Sequence, residues 1–379
     1  IGVKGYDLKP AARPHANVVL LADVSGSMQE ADKLPLLKSA FRLLIQKLEP
    51  DDTVSIVTYA GDAGTVLEPT PVSDKAKILD ALDGLRPGGS TAGAAGLEEA
   101  YRLAEQGSVT GGINRVLLAT DGDFNVGASD DDALKAMIER KRQSGVFLSI
   151  FGFGQGNYND QLMQVLAQNG NGVAAYIDTL SEAEKTLVQE ASSSLFPIAS
   201  DVKFQIEFNP EMIAEYRQIG FETRALDRED FNNDRVDAGE IGSGHTVTAI
   251  YEITPVGSPA VLNSDLRYGE DRQADDTTHG DEFAFLKIRA KVPGEAQSNL
   301  TEIPVLKSAE VSSFAEAPQD VRFSIGVAAF GQKLRGIDQV DSFGFDAIER
   351  MAAEARGEDP FGYRSEFLQL VRLAMGLEP

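Results

Sequence analysis

The chain contains no cysteine and only three histidines, His15, His245 and His279, scattered along its 379 residues. Without cysteine there are no disulfides, no thiolate zinc sites and no cysteine nucleophiles. Three dispersed histidines do not make a histidine-rich metal centre. Any metal held here is held mainly by oxygen, which favours magnesium, calcium or manganese. Long apolar runs are missing too. Stretches such as 18–22 are strand-sized, far short of the ~20 residues of a membrane-spanning helix, so no segment inserts directly into a bilayer. Positive charge is in deficit: 35 Lys and Arg stand against 59 Asp and Glu, a formal net charge of −24. So acidic a surface repels phosphate backbones and anionic lipid, which argues against nucleic acid and membrane surfaces as partners. A hydrophobic content of 42% is enough for full cores, and the length points to two or three domains. The sequence starts at Ile1 rather than Met, which reads as a processed or trimmed protein whose leader has been removed.

From residue 17 to about 198, strand and helix patterns alternate. Short apolar or β-branched runs at 17–22, 53–59, 115–119, 146–151 and 173–177 read as strands, the first buried on both faces. Helical patterns fall at 91–106, 131–141, 160–167 and 181–190, and one begins after Asp32, a candidate cap, with Leu37, Phe41, Leu44 and Leu48 on one face. This alternation predicts an α/β fold with a doubly wound, mostly parallel sheet covered on both faces. After Pro197 the pattern changes. Segments 202–208, 245–253 and 282–292 read as strands of an added antiparallel β region, with exposed acidic loops at 211–240 and 265–282. From about residue 320 the helical period returns at 321–334, 345–355 and 367–374. The expected organisation is an N-terminal strand in 1–15, an α/β domain at 16–198, a β-rich domain at 199–317 and a C-terminal helical segment at 318–379. Segment 1–8 has no place in the parallel sheet and is expected to pair with the β region, making the α/β domain an insertion.

The first buried strand ends in Asp23-Val24-Ser25-Gly26-Ser27. Ligands of open parallel sheets bind beyond the carboxyl ends of the strands, and two other pieces fall at equivalent places. Gly88-Gly89-Ser90-Thr91 precedes a helix, and Thr120-Asp121-Gly122 follows a strand. Three loops thus offer Asp23, Ser25, Ser27, Thr91 and Asp121: two carboxylates and three hydroxyls, hard oxygen donors suited to a hexacoordinate divalent cation. The mostly neutral donors leave such a cation electrophilic, and an aspartate or glutamate of a protein partner is the natural donor to complete its shell.

The pentad at 23–27 together with Thr91 and Thr120-Asp121-Gly122 resembles the metal-ion-dependent adhesion site of von Willebrand factor type A domains, over roughly residues 16–195. The resemblance implies that Ser25, Ser27 and Thr91 bind the cation directly and that Asp23 and Asp121 act mostly through water. Magnesium is the implied ion, with manganese or calcium as alternatives. The rest of the chain resembles a bacterial YfbK-like group, in which a type A domain is followed by a β-rich segment and C-terminal helices. The matching stretches are Gly5-Tyr6-Asp7-Leu8, residues 120–127, residues 237–245 and Asp359-Pro360-Phe361-Gly362-Tyr363-Arg364. That group commonly carries an exported or lipoprotein leader.

Other features have blander readings. Asp230-Phe231-Asn232-Asn233-Asp234 starts like a calcium loop, but Arg235 and Ile241 stand where glycine and glutamate belong. A solvated loop is favoured over an irregular calcium site on Asp230, Asn232, Asp234 and Glu240. His245 lacks a G-x-S-x-G nucleophile elbow and reads as a structural hydrogen bonder. Asp359-Pro360 reads as a helix start with Phe361 and Tyr363 packing. The 152–156 segment, Gly152-Phe153-Gly154-Gln155-Gly156, reads as a flexible loop on the metal-bearing edge. The expected function is a non-enzymatic, metal-dependent protein-binding module of the cell envelope, extracytoplasmic, periplasmic or membrane-anchored through the removed leader. The alternatives are a cytoplasmic partner of an ATPase, as in chelatase-like systems, and a metallohydrolase, which the lack of a nearby general base disfavours.

Overall fold

The protein is described by a computed structural model covering all residues except 7–13, 61–63, 90–92, 123–130, 155–158, 191–196, 223–224, 237, 264–278, 342, 360 and 378–379; the side chains of 131–133 and 188–190 are also outside the description. In chain order the first half comprises β1 (Gly2–Lys4), β2 (Ala16–Asp23), α1 (Leu34–Lys47), β3 (Thr53–Tyr59), β4 (Gly64–Pro71), α2 (Lys75–Gly84), α3 (Gly93–Gln106), β5 (Ile113–Thr120), α4 (Asp131–Gln143), β6 (Val146–Phe153), α5 (Asp160–Asn169), β7 (Ala174–Ile177) and α6 (Leu180–Ala183), which continues as a π-helical stretch, Glu184–Glu190.

Six strands form one sheet in the order β4-β3-β2-β5-β6-β7, with all neighbours parallel except β3 and β4. Every residue of the central strands β2 and β5 is buried, which is why their sequences are nearly continuous apolar runs. Side chains alternate across the sheet. Val18 and Leu20 join Leu37, Phe41 and Ile78 in one core, while Val19 and Leu21 join Leu97, Tyr101 and Met163 in another. The sheet is therefore covered on both faces. Strand β4 and helix α2 were not foreseen. Pro69 and Pro71 break the β pattern of β4, and proline is tolerated there because β4 is the antiparallel edge. Asp32 does not cap α1. A 3-10 turn, Gly26–Gln29, comes first, and the helix starts at Leu34 with Lys33 at its cap and Pro35 in its first turn.

The second half comprises β8 (Pro197–Phe208), β9 (Ile213–Ile219), β10 (Gly239–Gly242), β11 (Thr246–Thr248), β12 (Ile250–Pro255), β13 (Glu282–Lys291), β14 (Asn299–Leu306), α7 (Gln319–Leu334), α8 (Phe345–Glu354) and α9 (Tyr363–Leu377). The strands are all antiparallel, in a four-stranded sheet β10-β8-β13-β14 and in the pairs β12-β9 and β1-β11. The N-terminal strand β1 pairs with β11 through Val3 opposite Val247, and the Ile1 ammonium donates to Ala249 O at 2.9 Å. The α/β unit is thus spliced between β1 and the strands that β1 joins. Segment 211–240 is not simply an exposed loop: it carries β9, and Phe231 is 3% exposed. Segment 245–253 is two strands, interrupted at Ala249. Helices α7 to α9 close on a small core of Ala329, Phe345, Ile348 and Val371, with Phe330 and Phe367 packed edge-on at 5.4 Å. No helix among the described residues is long and apolar enough to cross a membrane.

Candidate metal centre

Strands β2 and β5 lie side by side and parallel, Ala22 opposite Ala119, so the loops that follow them open at one edge of the sheet. Asp23 is fully buried and its Oδ1 accepts the Ser25 backbone N–H at 2.8 Å. This tight turn places Ser25 Oγ 2.8 Å from Ser27 Oγ. Ser25 is 5% exposed, whereas Ser27 is on the surface, so the hydroxyl pair runs from the interior to solvent. The 88–89 segment is stitched to the same turn: Gly88 N donates to Val24 O at 2.7 Å and Gly26 N to Gly89 O at 3.4 Å. Gly89 there adopts φ +82°, a conformation that suits glycine. Asp121, 5% exposed, follows β5 across the turn in which Gly122 N donates to Thr120 Oγ1 at 3.1 Å. The fold therefore gathers Asp23, Ser25, Ser27 and Asp121 at one edge. Thr91 lies outside the described residues, as do Ser90, Phe124 and Asn125.

Two carboxylate oxygens here are orphaned. Asp23 Oδ2 and Asp121 Oδ1 are buried and have no hydrogen-bond partner among the described residues. Buried polar atoms are rarely left so, and unpaired buried carboxylates are costly. Burial pushes the Asp23 carboxyl above the usual carboxylate range, hydrogen bonds from Ser25 and, less, the Tyr59 hydroxyl oppose the rise, and the charge of Asp121 adds to it. The adjacent Tyr59 hydroxyl, fully buried, is directed at Ala119 O at 3.5 Å, and burial followed by the charge of Asp23 raises it well above its ordinary value. A site of two anionic oxygens and paired hydroxyls fits a divalent cation.

Sequence reasoning missed one occupant of this edge. Lys33 Nζ lies 3.1 Å from Asp121 Oδ2, with side chains 11% and 5% exposed. Burial alone would lower this ammonium, but the hydrogen bond and charge of Asp121, with Glu30 and Asp32, leave it raised. The only local signal was a lysine immediately before the buried Leu34 and Leu37. Gly152 and Phe153 also depart from expectation. They are the last residues of β6, Phe153 fully buried, not a flexible loop. Gly154, at φ +75°, accepts the Tyr176 hydroxyl at 2.6 Å. Beside the Asp23 turn, a shallow, mostly apolar depression of about 320 Å³ is lined by Val24, Thr58, Val66, Ala81, Gly84, Leu85 and Arg86.

The remaining sequence motifs resolve as structure. In the 230–240 segment, Lys203 Nζ takes Asp230 O at 3.1 Å and Asn233 O at 2.6 Å, Asp234 accepts the Ser298 hydroxyl at 2.5 Å and backbone N–H at 3.3 Å, Asn232 accepts Arg289 Nε at 3.2 Å and Glu240 accepts Asn171 Nδ2 at 3.1 Å. Protein donors thus engage side-chain oxygens of Asn232, Asp234 and Glu240, while at Asp230 it is the backbone carbonyl that is held. His245 serves β1 through its backbone, its carbonyl accepting Gly5 N at 2.8 Å. Asp359 caps α9, accepting the backbone N–H of Arg364 at 3.1 Å and of Ser365 at 2.8 Å. At the amino end of β2, His15, Asp51 and Asp52 lie close enough to share a cation. Asp52 is already engaged there, accepting Ala16 N at 2.7 Å and Glu49 N at 2.8 Å.

Residues 17–190 match the family described as von Willebrand factor type A domain, and residues 193–377 match the one described as the C-terminal region of uncharacterized protein YfbK. Uncharacterized protein YfbK of Escherichia coli (strain K12) is 46% identical over 377 residues, which is 100% of this chain and 64% of that protein. Uncharacterized protein sll0103 of Synechocystis sp. is 31% identical over 176 residues, 46% of this chain and 40% of that one. The chain therefore spans less than two thirds of either relative's length. Among solved structures, the von Willebrand factor type A protein from Catenulispora acidiphila superposes with a TM-score of 0.51 at 15% identity, over 95% of this chain and 82% of that chain. This last likeness concerns the fold.

Proposed function

The chain belongs to the von Willebrand factor type A proteins of the YfbK type, and from that premise we propose that it is a non-enzymatic, divalent-metal-dependent protein-binding module of the bacterial cell envelope. Asp23, Ser25, Ser27, Thr91 and Asp121 hold the cation, magnesium by preference, and an aspartate or glutamate of a protein partner completes its coordination. The observation that carries this reading is the pair of orphaned buried oxygens, Asp23 Oδ2 and Asp121 Oδ1, beside the Ser25–Ser27 hydroxyl pair.

The protein's own residues account for the behaviour expected of such a site. Asp23 fixes the turn through Ser25 N, so the hydroxyls are set before metal arrives. Bound there, the cation supplies an electrophilic position open to a carboxylate. Without it, the buried Asp23 carboxylate repels an incoming carboxylate, and a chain of net charge −24 repels it further. A single carboxylate contact at a solvated rim does not give tight binding. The apolar depression beside Val24 offers the additional contacts that interface hot spots need.

The test is capture of envelope proteins by the immobilised chain in magnesium and in EDTA, with wild type and Ser25→Ala compared. Capture of a defined protein that requires magnesium and disappears in Ser25→Ala is expected. A captured set that is the same in all four arms would sink the reading.

A further inference from the structure

Lys33 stands where a cation would be wanted, and its placement is specific. Its backbone is pinned at the start of α1, with Lys33 N donating to Glu30 O at 3.1 Å and Lys33 O accepting Leu37 N at 2.8 Å. The aliphatic stem then runs across Gly154. A Cβ at 154 would come within 2.4 Å of Lys33 Cγ and 2.5 Å of Cε, so only glycine leaves room for the stem. The Gly154 carbonyl is held in turn by the Tyr176 hydroxyl. The ammonium arrives at Asp121 Oδ2, 88 residues away in sequence, and both side chains are almost entirely buried. This is a long side chain guided along a close-fitting track to one of the two acidic residues of the candidate metal centre.

We propose that Lys33 is a built-in counter-cation that competes with the divalent metal for Asp121. In the metal-free protein the ammonium neutralises Asp121 and keeps its carboxylate aimed. Metal entry releases it, because a dication and an ammonium sharing one carboxylate in a poorly solvated site repel each other. The affinity for metal is thereby set below what Asp23 and Asp121 alone would give. The site then fills only when free metal is high enough to displace the lysine. Lys33 is a positioning and competing residue, not a ligand. The inference rests on the metal reading of the same site, and the two can fail separately.

The experiment is titration of the metal-stripped chain with Mn²⁺, free ion being read by electron paramagnetic resonance. Wild type is compared with Lys33→Met, Lys33→Gln and Asp121→Ala. Both neutral Lys33 variants are expected to bind about tenfold tighter than wild type, equivalent to about 1.4 kcal/mol, while Asp121→Ala loses the site. A merely structural lysine would lower the melting temperature in EDTA without tightening metal binding. Mn²⁺ affinity in Lys33→Met and Lys33→Gln equal to or weaker than wild type, with binding still lost in Asp121→Ala, overturns the competition and leaves the metal centre standing. Wild-type affinity in Asp121→Ala removes the metal centre, and the competition with it. Should neither neutral variant fold, amine labelling of wild-type Lys33 decides. Labelling that rises on adding Mn²⁺ supports release, and labelling unchanged between Mn²⁺ and EDTA refutes it.

Discussion

Replacing Asp23 by asparagine separates the charge of the candidate centre from its shape. The asparagine Oδ1 can still accept the Ser25 N–H that now sits 2.8 Å from Asp23 Oδ1, so the turn survives while the anion is lost. In EDTA the wild type carries a buried carboxylate whose folded-state pKa is raised by burial. The sign follows from linkage. The folded form binds the proton more tightly than the unfolded chain, so the penalty is absent below the unfolded carboxylate value and fully present above the folded one. Metal-free Asp23→Asn should therefore be at least as stable as wild type at pH 7, and the difference should vanish on acidification. In magnesium the order reverses. A ligand at a hundred times its Kd stabilises by about 2.7 kcal/mol, which for a unit of this size is a rise of about 5–10 °C in Tm. If the substitution weakens binding a hundredfold, the same magnesium concentration sits at Kd and contributes only about 0.4 kcal/mol, or about 1–2 °C. Thermal unfolding of both proteins in EDTA and in magnesium, followed by circular dichroism, makes the comparison. A magnesium shift in Asp23→Asn as large as in wild type, or an asparagine variant less stable in EDTA at neutral pH, would refute the reasoning.

Three further outcomes can be checked on the same protein. Gly172→Ala would place a Cβ 1.7 Å from Leu148 O; the β6–β7 edge has to shift, and urea denaturation should show a loss of about 3 kcal/mol or more. Lys185, 3% exposed on its side chain, reaches Glu366 at 3.2 Å and lies 3.4 Å from the Tyr363 ring centre; Lys185→Ala should cost about 1–2 kcal/mol, because Glu366 is half exposed and solvent screens the pair, and hydrogen exchange across 363–377 should accelerate. Glu99 is held down to about 2 by the Arg102 guanidinium and then by the Thr65 hydroxyl. Its contribution is full above the unfolded value near 4.5 and disappears as pH falls through about 2, so wild type should lose stability between those values more steeply than Glu99→Gln.

Most of the α/β half was legible because its signals are local. Strand β3 occupies the very residues, Thr53–Tyr59, where the β-branched run stands, and burial on both faces turns a strand into an unbroken apolar run. The pentad at 23–27 could be read for the same reason: a buried strand followed directly by alternating oxygen donors specifies its own place at the sheet edge. Strands β9, β10 and β14 escaped notice because they carry little hydrophobic pattern. Strand β14 is exposed at all but one of its positions, so its Leu300, Ile303, Val305 and Leu306 mark no buried face, and Pro304 interrupts the run. Lys33 escaped for a different reason. Its meaning depends on residue 121, and no periodicity reports a contact made only when two crossovers have closed. Arg115 is similar: a charged residue in the middle of a buried strand, its guanidinium donating to Ser149 Oγ at 2.7 Å, looks like an error of pattern until the neighbouring strand is known.

The splice that joins the two halves also decides what the metal edge can reach. Strand β2 begins at Ala16, immediately after the segment that follows β1, and ends at Asp23. Seven steps of about 3.3 Å separate those ends by about 23 Å. A contact between the α/β unit and the β region lies at the starting end. Asn171, in the turn before β7, donates to Glu240 of β10. Lys185 ties the unit to α9 on the same chain. Asp23, Ser25 and Ser27 lie at the finishing end, with Ser27 open to solvent. A partner bound there need not touch the Asn171–Glu240 contact at the other end of the sheet. The two halves can therefore divide the work, one end of the sheet fixing the unit in place and the other presenting two carboxylates and a competing lysine to the surroundings.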